Sequence, residues 1–269
     1  MKNNQHVTGP LLPESGLSQR FVSVVIVNWN SGALLERCLQ ALAKQTLKPG
    51  LVLVVDNGST DQSADCLGRF SSVSLVRAGQ NLGFAAGNNL ALRLCTTDFV
   101  ALLNPDAFPA ETWLECLVAA AEAHPACAAF GSRQLSAGDP RIIDGIGDLY
   151  HVTGRVWREG CGRVQGTEDL VPKEIFSPCA AAALYRRKAV EEVGGFDEDY
   201  FCYVEDVDLG FRLRLAGYSA RYVPEAVVLH CGSAVTGGQH SDFSIYHGHR
   251  NLVWTFVKNM PASLFWTLL

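Results

Sequence analysis

The feature that most constrains this chain is an alternation in its first half, where short unbroken runs of Val, Ile and Leu are separated by stretches with helical apolar spacing. The runs are residues 21–27, 51–55, 73–77, 99–103 and 127–130, and between them lie 33–45, 61–70, 85–94 and 110–124. Strands apolar on both faces and joined by helices are parallel strands covered from both sides. The expected fold class is therefore α/β, with a mostly parallel, Rossmann-like central sheet and helices on both faces. In such a sheet ligands sit beyond the carboxyl ends of the strands, so the residues after each run are the ones to read.

Those residues are polar. The first run leads into Asn28-Trp29-Asn30 and the second into Asp56-Asn57-Gly58-Ser59-Thr60. A carboxylate at a strand end can accept hydrogen bonds from a base or ribose, which makes Asp56 a nucleoside contact, while Ser59 and Thr60 read as turn and cap residues. The third run leads into Asn81-Leu82-Gly83, with Asn88 a turn further on. Amides and free N–H groups at a helix entry suit phosphate or sugar hydroxyls. No G-x-G-x-x-G follows the first run, which disfavours hydride transfer. The fourth run ends in Asn104-Pro105-Asp106, whose carboxylate, set by a proline of fixed φ, can present oxygens to Mg²⁺ or Mn²⁺ on a diphosphate; the same tripeptide is also good β-turn chemistry.

The second half changes character. Residues 132–178 are punctuated by glycine and carry Tyr150 and Trp157, a pattern of irregular hairpins and loops assigned to a second substrate. A strand at 180–185, a short helix at 188–193 and an amphipathic helix at 205–216 follow, the last burying Val204, Val207, Phe211 and Leu215 and ending at Gly217. Glu205, Asp206 and Asp208 crowd its first turn, where the helix dipole favours them, and Arg212 is placed to pair with Asp208. Glu205 and Asp206 diverge by about 100° around the helix, so one can face substrate while the other is tied to the scaffold. His230 closes a strand at 226–229, either as a structural residue or as a metal or diphosphate contact. Arg250, at the start of the last helix, can neutralise phosphate. The expected organisation is a loose tail over 1–20, a nucleotide-binding half over 21–131, a catalytic half that takes the second substrate over 132–241, and a helical segment over 242–269.

Charge and cysteine usage narrow the class. With 22 Lys plus Arg against 27 Asp plus Glu and no basic run at either terminus, nothing suggests nucleic-acid binding. Nine scattered cysteines without a C-x-x-C pair argue against a zinc knuckle or disulfide framework and for a reducing compartment. The polar, proline-bearing first twenty residues lack the apolar core of a signal peptide, so the expected location is the cytoplasm. Residues 252–269 read LVWTFVKNMPASLFWTLL, too interrupted to cross a bilayer but suited either to an interfacial helix pair or to a terminal helix packed on its own domain. The pattern stops at Leu269 in mid-run, leaving a continuation of the natural chain open.

Taken in order, VVIVNWN, VVDNGSTD, NLGFAAGNN, LLNPD, GGFDEDYFCYVEDVDLGFRLRLAGY and a final strand ending in His resemble the family 2 glycosyltransferases of GT-A fold, in particular their bacterial rhamnosyltransferase-like branch. The resemblance spans about residues 21–259. It implies inverting transfer from a nucleoside diphosphate sugar, best matched by dTDP-L-rhamnose, to a hydroxyl of a saccharide or polyprenyl-linked saccharide at the inner face of the membrane. Asp56 would contact the base and Asp106 would hold Mg²⁺ or Mn²⁺ as the last member of the D-x-D motif, whose first member here is Asn104. Asp206 would be the general base. Two other readings are a non-catalytic nucleotide-sugar binding module and a sugar-phosphate nucleotidyltransferase. The latter needs a glycine-rich Arg/Lys loop after the first strand, which Val27-Asn28-Trp29-Asn30 does not supply.

Overall fold

The computed structural model describes residues 7–8, 22–232 and 241–268. The expected loose tail lies outside the described residues except for Val7–Thr8 (β1). The parallel core consists of β2 (Val22–Asn28), β3 (Leu51–Asp56), β4 (Val73–Arg77) and β5 (Phe99–Leu103). Every residue of β2, β3 and β5 is buried, as their continuous β-branched and leucine runs require. Helices α1 (Leu34–Ala43) and α2 (Gly83–Leu92) follow β2 and β4, whereas residues 61–70 make only a 3₁₀ turn at Ser63–Arg69 after Gln62, which takes a left-handed conformation. Val24 and Ile26 face Leu35, Leu39 and Leu42 on one side of the sheet, and Val25 and Val27 face Leu90 and Ala91 on the other.

After β5 the chain makes β6 (Ala107–Pro109), α3 (Trp113–Ala123), β7 (Cys127–Ser136) and three short strands, β8 (Ile143–Gly145), β9 (Asp148–Tyr150) and β10 (Val156–Arg158). It continues through β11 (Lys173–Ile175), β12 (Ala182–Arg186), α4 (Arg187–Glu192), α5 (Glu205–Leu215) and β13 (Ser219–His230) to α6 (Asp242–Asn259) and α7 (Ala262–Leu268). Strand order across the main sheet is β1-β4-β3-β2-β5-β12-β7-β13-β11. The run at 127–130 keeps the direction of the parallel strands but is not hydrogen-bonded to them. β12 inserts between β5 and β7 and runs antiparallel to both, and β7 is ten residues long. The boundary expected between residues 131 and 132 falls inside β7, because one sheet serves both halves.

Two registers set up the chemistry. β6 pairs antiparallel with β13 so that Ala107 lies opposite His230, which brings Asp106 beside that histidine. β8 pairs antiparallel with β7, whose Ser136 lies opposite His230 in the parallel β7–β13 pair, and this delivers Asp144 to the other side of the ring. On α5 the expected apolar stripe is corrected at Leu215, which is 57% exposed. Residues 205–211 are enclosed on every side, so burial there does not follow the helical period, while the last turn emerges into solvent. Gly217, at φ 92°, takes the left-handed position that lets Tyr218 N–H close the helix on the Leu213 carbonyl.

Candidate active site

Beyond the carboxyl ends of β2, β3 and β5 opens a cavity of about 900 Å³. Of the residues singled out in the sequence, Asn81, Gly83, Asn104, Asp106, Trp157, Glu205, Asp206 and His230 line it. Asp106, the adjacent pair Glu205 and Asp206, and a histidine, drawn from three distant parts of the chain, thus share one wall system.

His230 is 5% exposed and lies between two carboxylates. Its Nδ1–H donates to Asp144 Oδ2 at 2.9 Å, and Nε2 is 3.3 Å from Asp106 Oδ1, an ion-pair distance without hydrogen-bond alignment. Burial opposes charge on the ring, but Asp106 and Asp144 outweigh it and raise the imidazole to about 9. Burial likewise pushes the Asp144 carboxyl up, and His230 and Arg158 more than offset it, holding it below the usual carboxylate range. Arg158 extends the chain: Nη1 donates to Asp144 at 3.2 Å and Nε lies 3.9 Å from Asp148.

At the other end, Asp206 is fixed by backbone. Its Oδ2 accepts Ala180 N–H at 3.0 Å and its Oδ1 accepts Val207 N–H at 2.9 Å. Glu205 and Asp206 both face the cavity, so the scaffold tie and the substrate face are not divided between them. Glu205 Oε2 is buried without a hydrogen-bond partner. Burial and then the charge of Asp206 drive the Glu205 carboxyl well above its ordinary range, and the same two causes raise Asp148 to about 7. Burial and the Asp206 charge thus favour the O–H form of Glu205 over a second negative charge beside Asp206.

The turn before α5 is strained. Phe201, Tyr203 and Val204 have φ of 64°, 68° and 70°, in the left-handed region that costs a non-glycine residue about 1–3 kcal/mol. Phe201 packs on the entry to α2, where Gly83, at φ 83°, leaves no room for a side chain: an added Cβ would lie 2.5 Å from the Phe201 carbonyl oxygen. Asn57 and Asn81 lock the same entry, with Asn57 Nδ2 donating to Asn81 Oδ1 at 3.0 Å and Asn81 Oδ1 also accepting Gly83 N–H at 2.9 Å.

Five expected site residues lie off the cavity lining. Asn28 is spent on the turn after β2, donating to Ser59 and Ser63 at 3.1 and 2.9 Å and accepting from Ser31. Asp56 accepts Ser59 N–H and pairs with Arg77 at 3.0 Å. Asn88 donates to the Phe84 carbonyl within α2. Asp208, fully buried, pairs with Arg212 at 2.8 Å and also receives Lys258, Asn259 and Tyr200, fastening α5 to α6. Arg250 donates to the carbonyls of Asp199 and Tyr200 and stacks 4.2 Å from the Trp254 ring. Conversely, Asp144, Asp148 and Arg158 were missed, because their hairpins read only as glycine-rich loop and no spacing rule ties them to His230.

A divalent cation fits one end of this cavity. Among the described residues no three His, Cys, Asp or Glu side chains form a cage. Asp106 carboxylate would present oxygens to it, and His230 Nε2 would join once the cation displaces the proton that Asp106 and Asp144 favour on the ring, leaving other positions for water and substrate oxygens.

Comparison with known proteins agrees with this geometry. The profile of Glycosyl transferase family 2 matches residues 23–194, and that of Glycosyl transferase family group 2 matches 169–262. An N-acetylglucosaminyl-diphospho-decaprenol L-rhamnosyltransferase of Mycobacterium tuberculosis is 33% identical over 91% of this chain and 88% of its own length. A pre-mycofactocin glycosyltransferase of the same species is 35% identical over 81% of this chain, which spans 44% of that protein. The O-antigen chain rhamnosyltransferase RfbN of Salmonella typhimurium is 26% identical over 78% of this chain and 66% of its own length. Among solved structures, GalNAc-T7 with UDP, GalNAc and Mn²⁺ superposes with a TM-score of 0.70 at 16% identity, over 88% of this chain and 48% of that one. The mannosyltransferase PcManGT from Pyrobaculum calidifontis, with GDP-Man and Mn²⁺, gives 0.58 at 19% identity, over 86% and 62%. With a profile covering more than half of its residues and the cavity at the expected strand ends, the chain belongs to glycosyl transferase family 2 and has the GT-A fold.

Proposed function

We propose that the chain transfers L-rhamnose from dTDP-rhamnose, with inversion, to a hydroxyl of an N-acetylglucosaminyl-diphospho-polyprenol or a similar lipid-linked saccharide. The observation that carries this reading is the meeting of Asp106 with His230 and of Asp206 with Glu205 on one cavity. The mycobacterial and Salmonella rhamnosyltransferases support the donor sugar, and the lipid-linked acceptor named for the former supports the acceptor class.

The acceptor hydroxyl donates its proton to Asp206, whose two oxygens are already oriented by Ala180 and Val207 N–H. A carboxylate so placed contributes about 10²–10⁴-fold. The hydroxyl oxygen then forms a bond to the anomeric carbon as the bond to the diphosphate oxygen breaks on the opposite face, and the diphosphate leaves with the electron pair. Mg²⁺ or Mn²⁺ held by Asp106 and His230 would supply positive charge to the departing diphosphate. Glu205, whose burial favours its O–H form, can donate to an acceptor oxygen, and half-exposed Trp157 offers a ring to a sugar face. Asn81 and Gly83 form the donor wall.

The membrane reading belongs to α6. Its buried residues are Ser244, Asn251, Thr255 and Asn259, all polar, while Ile245, Tyr246, Val253 and Val257 are exposed. The helix is inside-out, and its outer face, continued by Leu264 and Trp266 of α7, suits a lipid surface carrying the acceptor. Phe243, Ser244 and Leu252 of the same helix line the cavity, so the acceptor's head group has a short route inward. Among the described residues no helix is long and apolar enough to cross a membrane.

The decisive assay follows [¹⁴C]rhamnose from dTDP-rhamnose to N-acetylglucosaminyl-diphospho-decaprenol, with Mn²⁺ or Mg²⁺, for wild type and Asp206→Asn. Turnover should fall by about 10²–10⁴-fold in the variant while dTDP still binds. Unchanged turnover would remove Asp206 as base, and nucleotide binding without any transfer by the wild type would favour a binding module.

A further inference from the structure

The turn at residues 201–204 raises a physical question: what keeps three non-glycine residues in the left-handed region just ahead of the acids? Such conformations persist only where the surroundings over-determine them. Their consequence here is that the backbone carbonyls of Tyr200, Cys202 and Tyr203 all aim at one point on α6. Converging carbonyl oxygens repel one another unless a donor stands among them.

Asn251 stands there. It is wholly buried, and its Nδ2 donates to the carbonyls of Tyr200 at 3.0 Å, Cys202 at 2.9 Å and Tyr203 at 2.7 Å. Two hydrogens serve three acceptors, so one is shared. The amide has only one workable orientation: its Oδ1 accepts Arg250 Nε at 2.9 Å, and flipping it would set an NH₂ against a guanidinium and an oxygen against three carbonyls. Arg250 reinforces the turn through Nη2, which donates to the carbonyls of Asp199 and Tyr200 at 3.1 and 3.0 Å.

We infer that Asn251 is a positioning residue for sugar transfer, gathering the carbonyls of the 200–203 turn and thereby aiming Glu205 and Asp206 into the cavity. The inference rests on reading that cavity as the transfer site. Val204 is the last residue before α5, so a return of its φ to the common right-handed region would rotate the first helical turn and swing Asp206 away from Ala180 N–H. The effect is confined to the turn, because Asp208 binds Lys258 and Asn259 independently and keeps α5 docked on α6. Asn251 touches no substrate and takes no proton. Asparagine matters here for its paired donors on a short stem, which neither alanine nor a longer amide reproduces.

The test compares the full chain with Asn251→Ala and Asn251→Ser by four measurements: rhamnose transfer, dTDP binding with Mn²⁺ by calorimetry, thermal melting, and amide exchange over 200–207. Transfer by Asn251→Ala should drop about 10²-fold in kcat, the scale of a 1 Å misplacement, with dTDP affinity nearly unchanged. Exchange over 200–207 should quicken about tenfold without a matching rise elsewhere. Asn251→Ser, which keeps one donor, should recover part of both. Wild-type kcat in Asn251→Ala, unchanged exchange in the turn, or failure of both variants to fold would overturn the role. Absence of transfer by the wild type would sink the functional reading instead, and the exchange comparison would still decide whether Asn251 holds the turn.

Discussion

Asp148 shows how one buried carboxyl couples the site to stability. Burial, then the neighbouring charge of Asp206, lifts it to about 7. A proton held more tightly in the folded than in the unfolded chain stabilises the fold at acid pH, and this contribution fades as pH climbs from the ordinary carboxylate range to about 7. Asp148→Asn keeps the shape and never ionises, so its melting temperature should exceed that of the wild type by a gap that widens between about pH 4 and about pH 7 and then levels off, by about 2–4 °C per kcal/mol recovered. Melting curves with a pH-independent gap would contradict this. At this scale Asp106, Glu205, Asp206 and His230 were legible because each closes a strand or opens a helix, where side chains face a ligand crevice. Asp144 and Arg158 were not, since only the pairing of β8 with β7 and the fold of the following hairpin carry them to the histidine. The reading of Arg250 erred on a matter of reach: position at a helix start says nothing about which neighbour takes up the guanidinium, and here backbone carbonyls do.

Among the elements, the parallel strands declared themselves by unbroken apolar runs, while the direction of β12 could not be read. A buried run looks the same whether it lies parallel or antiparallel, and only its neighbours β5 and β7 settle the matter. The entry to α2 has a stricter demand. Gly83 combines a positive φ with an approach that excludes a Cβ, so Gly83→Ala must either displace Phe201 or distort the helix start. The expected result is a loss of about 1–3 kcal/mol in denaturant unfolding together with impaired transfer, because Phe201 belongs to the wall that leads to Asp206. Full stability in that variant would mean that the Phe201 turn yields freely.

For the whole molecule, the unresolved choice in the sequence concerned the tail, and the reason is now physical. A helix can have a polar and an apolar side without the pattern saying which one is buried, and α6 buries the polar one. Val257→Asp combined with Trp266→Asp should lower co-sedimentation with phosphatidylglycerol-containing vesicles at least about tenfold, given about 1.5–3 kcal/mol per apolar side chain withdrawn from lipid. Transfer to a water-soluble acceptor analogue should remain. Equal sedimentation of variant and wild type would assign the outer face to another purpose. The inverted helix also undoes a familiar shortcut: cutting away residues 242–268 would remove the exposed apolar face and the Asn251 amide in a single stroke, so an inert shortened chain would not tell a lipid contact apart from a loosened turn.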